Sequence, residues 1–150
     1  MRISVGCDHR GIAVKKQIIE WLNQMGQEPI DEGTHSEECV DYPDIAAVIG
    51  HKVADGSVDR GILVCSTGIG MAIAANKIPG IRAATCNNEV AAEMSRRHND
   101  LNVLCVAADL IGHRNIQRVL EIWLSTDFDG GRHARRLDKI AALEQDAAET

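Results

Sequence analysis

Short runs of β-branched and small apolar residues alternate with amphipathic stretches along the whole chain, and this alternation admits few folds. The runs are Ile3 to Gly6, a weaker one at Pro29 to Asp31, Gly61 to Cys65, Ile81 to Cys86, and Asn102 to Ala107. Between them apolar residues recur at helical spacing: Ile18, Ile19, Leu22 and Met25 in the first stretch, then Ile45, Val48 and Ile49 after Tyr42-Pro43. Gly26 is placed to stop the first helix, and Pro43 suits the first turn of the second. A Gly-rich turn and a short helix to Lys77 follow the third run, and a helix through Val90 and Met94 follows the fourth. Ile116, Val119, Leu120, Trp123 and Leu124 define a penultimate helix, and after Asp129-Gly130-Gly131 a last helix carries Leu137, Ile140 and Leu143. The pattern predicts an α/β fold: a doubly wound, Rossmann-like, five-stranded parallel sheet with helices on both faces and an extra C-terminal helix. With 150 residues and no linker or internal repeat, residues 1–150 are expected to form a single domain. Folds of this kind bind ligands at the carboxyl ends of their strands, so chemistry is sought there.

Composition narrows the partners. A formal net charge of −6, with basic residues scattered apart from a C-terminal cluster, argues against a nucleic-acid surface and for a small, locally held ligand. The start of the chain runs from Met1 and Arg2 directly into a strand, and no apolar run could span a bilayer, so the expected location is the cytoplasm, with no membrane partner. Cys7, Cys39, Cys65, Cys86 and Cys105 are widely spaced and lack the C-x-x-C pattern, and the histidines show no H-E-x-x-H arrangement. Free thiols are expected, with no metal and no organic cofactor.

Three segments fall where chemistry could occur. Gly6-Cys7-Asp8-His9 ends the first strand, where Asp8 either orients hydroxyls or caps the next helix, and His9 can meet an anion. Cys65-Ser66-Thr67-Gly68-Ile69-Gly70-Met71 carries a thiol at a strand end, followed by glycines that let backbone N–H groups converge as an anion hole. That setting would favour a thiolate as base or nucleophile, although a buried structural cysteine is the commoner fate. The letters exclude rival loops: Met71 stands where a cysteine phosphatase needs arginine, no Gly-Lys-Ser/Thr ends the loop, and Ile73 stands where a dinucleotide fingerprint needs glycine. The third group pairs His98-Asn99-Asp100 with Gly130-Gly131-Arg132-His133 and Arg136. Arg132 and Arg136 share one helix face and either grip a phosphate or form a solvated basic face, while His98 and Asn99 are open to a reading as a helix end with an αL cap.

In this order and spacing the segments GCDHRG at Gly6, DEGTHS at Asp31, DYP at Asp41, GILVCSTGIGMAIAANKIPGIRA from Gly61, RRHNDLNVL from Arg96 and GGRHARR from Gly130 are highly specific. The chain resembles the type B ribose-5-phosphate isomerases of the ribose/galactose isomerase family. The resemblance implies interconversion of ribose 5-phosphate and ribulose 5-phosphate, a pentose phosphate pathway step, through a cis-enediolate and without a cofactor. It implies Cys65 as the base and the backbone of Ser66, Gly68, Ile69 and Gly70 as the enediolate-stabilising loop. Thr67 and His98 would open the sugar ring, Asp8 and Asn99 would hold hydroxyls, and His9, Arg132 and Arg136 would bind the phosphate.

One position departs from the family pattern. An arginine often follows the last sheet strand there, whereas this chain reads Ala107-Ala108-Asp109. A free aspartate would repel a phosphate. Either Asp109 points away and a group such as Arg114 contributes, or the substrate is another sugar phosphate, such as galactose 6-phosphate or allose 6-phosphate. A sugar-phosphate or nucleotide binding module without catalysis is the alternative of a different class. The topology adds one expectation: Asp8, His9 and Cys65 follow strands, whereas His98 and Asn99 precede one and so lie at the opposite sheet edge. A homodimer or dimer of dimers with shared sites would bring the two groups together.

Overall fold

β1 (Arg2–Cys7) leads into α1 (Ile12–Gln24) and β2 (Glu28–Gly33), followed by α2 (Tyr42–Ala54), β3 (Arg60–Cys65) and α3 (Ile69–Ala75). The chain continues through β4 (Ala83–Thr85), α4 (Glu89–Asn99), β5 (Val103–Ala107), α5 (His113–Ser125) and α6 (Arg132–Ala148). The computed structural model describes the backbone of residues 1–148 and the side chains of residues 1–145. All strand pairs are parallel, in the order β2-β1-β3-β5-β4. The expected doubly wound sheet is therefore present, with its strand order reversing between β1 and β3.

Side chains alternate along each central strand and build two apolar layers. Ile3, Val5, Ile62, Val64, Leu104 and Val106 pack with α1, α4 and α5 on one face. Leu63, Cys65, Val103 and Cys105 pack with α2 and α3 on the other. Ile116, Val119, Leu120 and Trp123 of α5 are fully buried, so the helical spacing of these residues marks the face that packs on the sheet.

Element ends depart from expectation in three places. The fourth strand is three residues long instead of running from Ile81 to Cys86. It is an edge strand, and side chains take backbone N–H groups there: Arg82 donates to Asn102 Oδ1 at 2.8 Å and Ala83 to Asn76 Oδ1 at 2.8 Å. Asn99 is the last residue of α4, and the left-handed cap is Asp100 at φ 44°. Its carboxylate is held there by Arg82 at 3.0 Å and Arg96 at 2.8 Å. Asp8 does not cap α1, whose N-cap is Gly11; its Oδ1 accepts instead from the Arg10 N–H at 3.0 Å.

Candidate active site

At the carboxyl ends of β1 and β3 the chain pinches Asp8, His9 and Cys65 around the point where the strand order reverses. The Asp8 N–H donates to the Val64 carbonyl at 3.2 Å, which ties the two strand ends together. Cys65 ends β3 and is 6% exposed. The chain then turns through Gly68 at φ 76°, a conformation natural to glycine. This turn aims the Gly68 N–H at Cys65 Sγ, 3.1 Å away. The Ile69 N–H donates to Thr67 Oγ1 at 3.3 Å. The N–H groups of Ser66, Thr67 and Gly70 have no protein acceptor among the described residues, and so remain for a ligand. Gly70 is close-packed: a Cβ there would lie 2.7 Å from the Tyr42 ring, so the small residue lets the α2 aromatic cover the loop.

The other four cysteines lie outside this loop. Burial pushes the Cys7 thiol up to about 11, and burial likewise raises Cys86 and Cys105. Cys39 is exposed on a loop. Below the crevice, buried Lys15 donates to the Asp31 carboxylate at 2.5 Å and to the Thr34 carbonyl at 2.9 Å. Burial pushes Asp31 upward, but the Lys15 hydrogen bond, the Gly33 N–H and nearby positive charge together hold it below the usual carboxylate range. The buried Nδ1 of His9 has no partner among the described residues.

His98, Asn99, Arg132 and Arg136 form a second group at the amino edge of the sheet, as the topology predicted. Along β5 alone, Val103 to Ala107 separates the two edges by roughly 13 Å. Asp129 joins α4 to the loop before α6: its N–H donates to the Arg97 carbonyl at 3.0 Å, and Arg97 Nε donates to its carboxylate at 3.1 Å. This joint lays the His98 ring on His133, with centroids 4.2 Å apart and planes 6° from parallel. Arg132 Nε approaches His133 Nε2 at 3.5 Å. Burial lowers the His133 pKa, and the charges of His98, Arg132 and Arg136 lower it further. His98, Asp129 and His133 lie close enough to suggest a chelate, but stacked imidazoles keep their lone pairs in separate parallel planes that do not converge on one ion, and Arg97 occupies the carboxylate. The cluster does not fit a metal ion.

The fold thus brings together Asp8, His9, Cys65, Ser66, Thr67, Gly68, Ile69 and Gly70, and separately His98, Asn99, Arg132 and Arg136. Sequence reasoning missed two contacts, the His98–His133 stack and the Arg10–Asp109 bridge. His133 sits within the motif around Arg132, yet stacking between helices leaves no trace in local spacing. Asp109 neither points into solvent alone nor waits for Arg114: its Oδ2 accepts from Arg10 Nη2 at 2.9 Å and Nε at 3.2 Å.

Residues 3–140 match the family model described as Ribose/Galactose Isomerase. Ribose-5-phosphate isomerase B of Escherichia coli (strain K12) is 44% identical over 144 residues, covering 96% of this chain and 97% of its own length. Among solved structures, ribose-5-phosphate isomerase B of Clostridium thermocellum aligns with a TM-score of 0.96 at 46% identity, covering 98% of this chain and 99% of its own. D-erythrulose-4-phosphate isomerase of Pectobacterium atrosepticum is 37% identical over 145 residues, 96% of this chain and 95% of its own.

Proposed function

The chain belongs to the ribose/galactose isomerase family, and from this premise we propose that Cys65 is the base with which it interconverts ribose 5-phosphate and ribulose 5-phosphate. It is an aldose–ketose isomerase. The observation that carries the assignment of the base is the thiol at the β3 end, with one loop N–H on its sulfur and three more unclaimed in the same loop among the described residues.

In the aldose-to-ketose direction the Cys65 thiolate takes the proton from C2. The electrons of that C–H bond become the C1–C2 double bond, and the carbonyl electrons move onto O1. The unclaimed N–H groups of Ser66, Thr67 and Gly70 meet the negative charge that develops on the enediolate oxygens. Fixed donors of this kind contribute roughly 10²–10³-fold each to catalysis, because they need no reorganisation as charge appears. The proton of the O2 hydroxyl passes to O1, the thiol returns its own proton to C1, and O2 becomes the ketone, so that no redox partner is required. Thr67 and His98 assist ring opening, Asp8 and Asn99 hold hydroxyls, and His9, Arg132 and Arg136 take the phosphate.

His98, Asn99, Arg132 and Arg136 lie at the far edge from Cys65, so a second copy of the chain must lend them. A two-fold dimer achieves this reciprocally, each chain giving its amino edge to the other's carboxyl edge. Ile140 and Leu143 of α6 are 44% and 68% exposed and are candidates for part of the contact. No helix among the described residues is long and apolar enough to cross a membrane, which supports a cytoplasmic location.

The test is turnover of ribose 5-phosphate beside allose 6-phosphate, galactose 6-phosphate and erythrulose 4-phosphate, together with solvent deuterium uptake by substrate. Ribose 5-phosphate should give the highest kcat/KM, and Cys65→Ala should lose roughly 10²–10⁴-fold in both turnover and exchange. Near-normal exchange by the alanine variant would remove Cys65 from the reaction.

A further inference from the structure

Across the carboxyl edge, Arg10 reaches over to Asp109, 99 residues away in the chain, and places Nε and Nη2 on a single oxygen of its carboxylate. Both residues are anchored to the walls of the crevice. The Arg10 N–H is held by Asp8 Oδ1 at 3.0 Å, and the Asp109 N–H by the Ser66 carbonyl at 3.1 Å. The two side chains are 60% and 41% exposed. An ion pair this wet adds little to stability, so holding the fold together is a poor reason for an arginine at this point. A guanidinium carries five N–H donors, and Asp109 takes two of them, leaving the others for a further acceptor. Lys15, the nearby buried ammonium, is already committed to Asp31 and Thr34. Arg132 and Arg136 belong to the opposite edge.

We propose that Arg10 binds the substrate's phosphate from within the same chain as Cys65, and that Asp109 is a positioning residue that holds the Arg10 guanidinium beside the Cys65 loop. The proposal rests on the isomerase reading above and adds to it a residue particular to this crevice. It also accounts for an aspartate near an anionic substrate. The carboxylate's charge is balanced by the guanidinium that it orients, and the repulsion expected of a lone Asp109 does not arise.

Inorganic phosphate is the probe, because it reports the subsite without turnover. Its affinity by calorimetry and its inhibition constant against ribose 5-phosphate are measured for wild type, Arg10→Ala, Arg10→Lys and Asp109→Asn, with KM, kcat and melting temperature. Losing a charge-assisted contact should weaken phosphate and raise KM about 10- to 100-fold in Arg10→Ala, mostly in KM rather than kcat. The melting temperature should barely move, since the pair is exposed. Arg10→Lys should recover part of the loss, because the charge remains without the fork. Asp109→Asn should raise KM by a smaller factor, as the guanidinium loses its anchor. Unchanged phosphate affinity and KM in Arg10→Ala would overturn the proposal, as would tighter phosphate binding by Asp109→Asn with Arg10→Ala unaffected. Failure of the isomerase reading looks different: wild type would bind phosphate in an Arg10-dependent way and turn over no sugar phosphate.

Discussion

His133 illustrates how burial and neighbouring charge together move the titration of a ring. It is 7% exposed, stacked on His98 and flanked by Arg132, so a proton on it would place like charges face to face. Its pKa is lowered from 6.5, first by burial and then by the charges of His98, Arg132 and Arg136. The sign follows directly. Below 6.5 the unfolded chain takes up a proton at this position before the folded one does, so acidification favours unfolding until the folded-state pKa is passed. Stability should therefore fall as pH drops below 6.5. His133→Phe, which keeps a flat ring for stacking but cannot titrate, should show a shallower fall. Melting curves over the acid range check this, and identical slopes for the two proteins would mean that His133 carries a proton in the fold as readily as out of it.

Among the elements, the β3–α3 turn carries most of the proposed chemistry, and Gly68 is its pivot. At φ 76° an alanine incurs about 1–2 kcal/mol of left-handed strain. Its Cβ would also lie 2.9 Å from Thr85 Cγ2 and 3.4 Å from the Val106 carbonyl carbon. Relief requires the turn to move, which withdraws the Gly68 N–H from Cys65 Sγ. Gly68→Ala should lose at least about 10-fold in kcat, beyond any loss of stability. Gly26→Ala is the control: at φ 70° with nothing within 4 Å, it should incur the strain with full activity. Equal kcat in the two variants would show that the turn tolerates displacement. This turn was legible in the sequence because its signal is local, a thiol at the end of an apolar run followed by two glycines. The strand–helix alternation was legible for the same reason. The limits of β4 and the cap of α4 were not, because side chains from elsewhere decide them: Asn76 and Asn102 at the edge strand, Arg82 and Arg96 on Asp100. The His98–His133 stack and the Arg10–Asp109 bridge join residues far apart in the chain, and spacing holds no record of such contacts.

For the whole molecule, the parallel sheet supports the Cys65 loop and holds the two groups of proposed site residues at opposite edges. Every residue after a strand reaches one edge, and every residue after a helix returns to the other. Cys65 and His98 are thus separated by the length of β5 and more, so the proposed reaction, which uses both, calls for a second copy of the chain. The measurement that bears most directly on this account mixes Cys65→Ala with His98→Ala under conditions that let subunits exchange. In each heterodimer one site receives both defects and the other receives neither. With equal amounts and random pairing, half the dimers are mixed, so about a quarter of wild-type activity should return from two nearly inactive proteins. If heterodimers verified by mass spectrometry remain as inactive as their parents, Cys65 and His98 do not share a site between chains, and the account is contradicted.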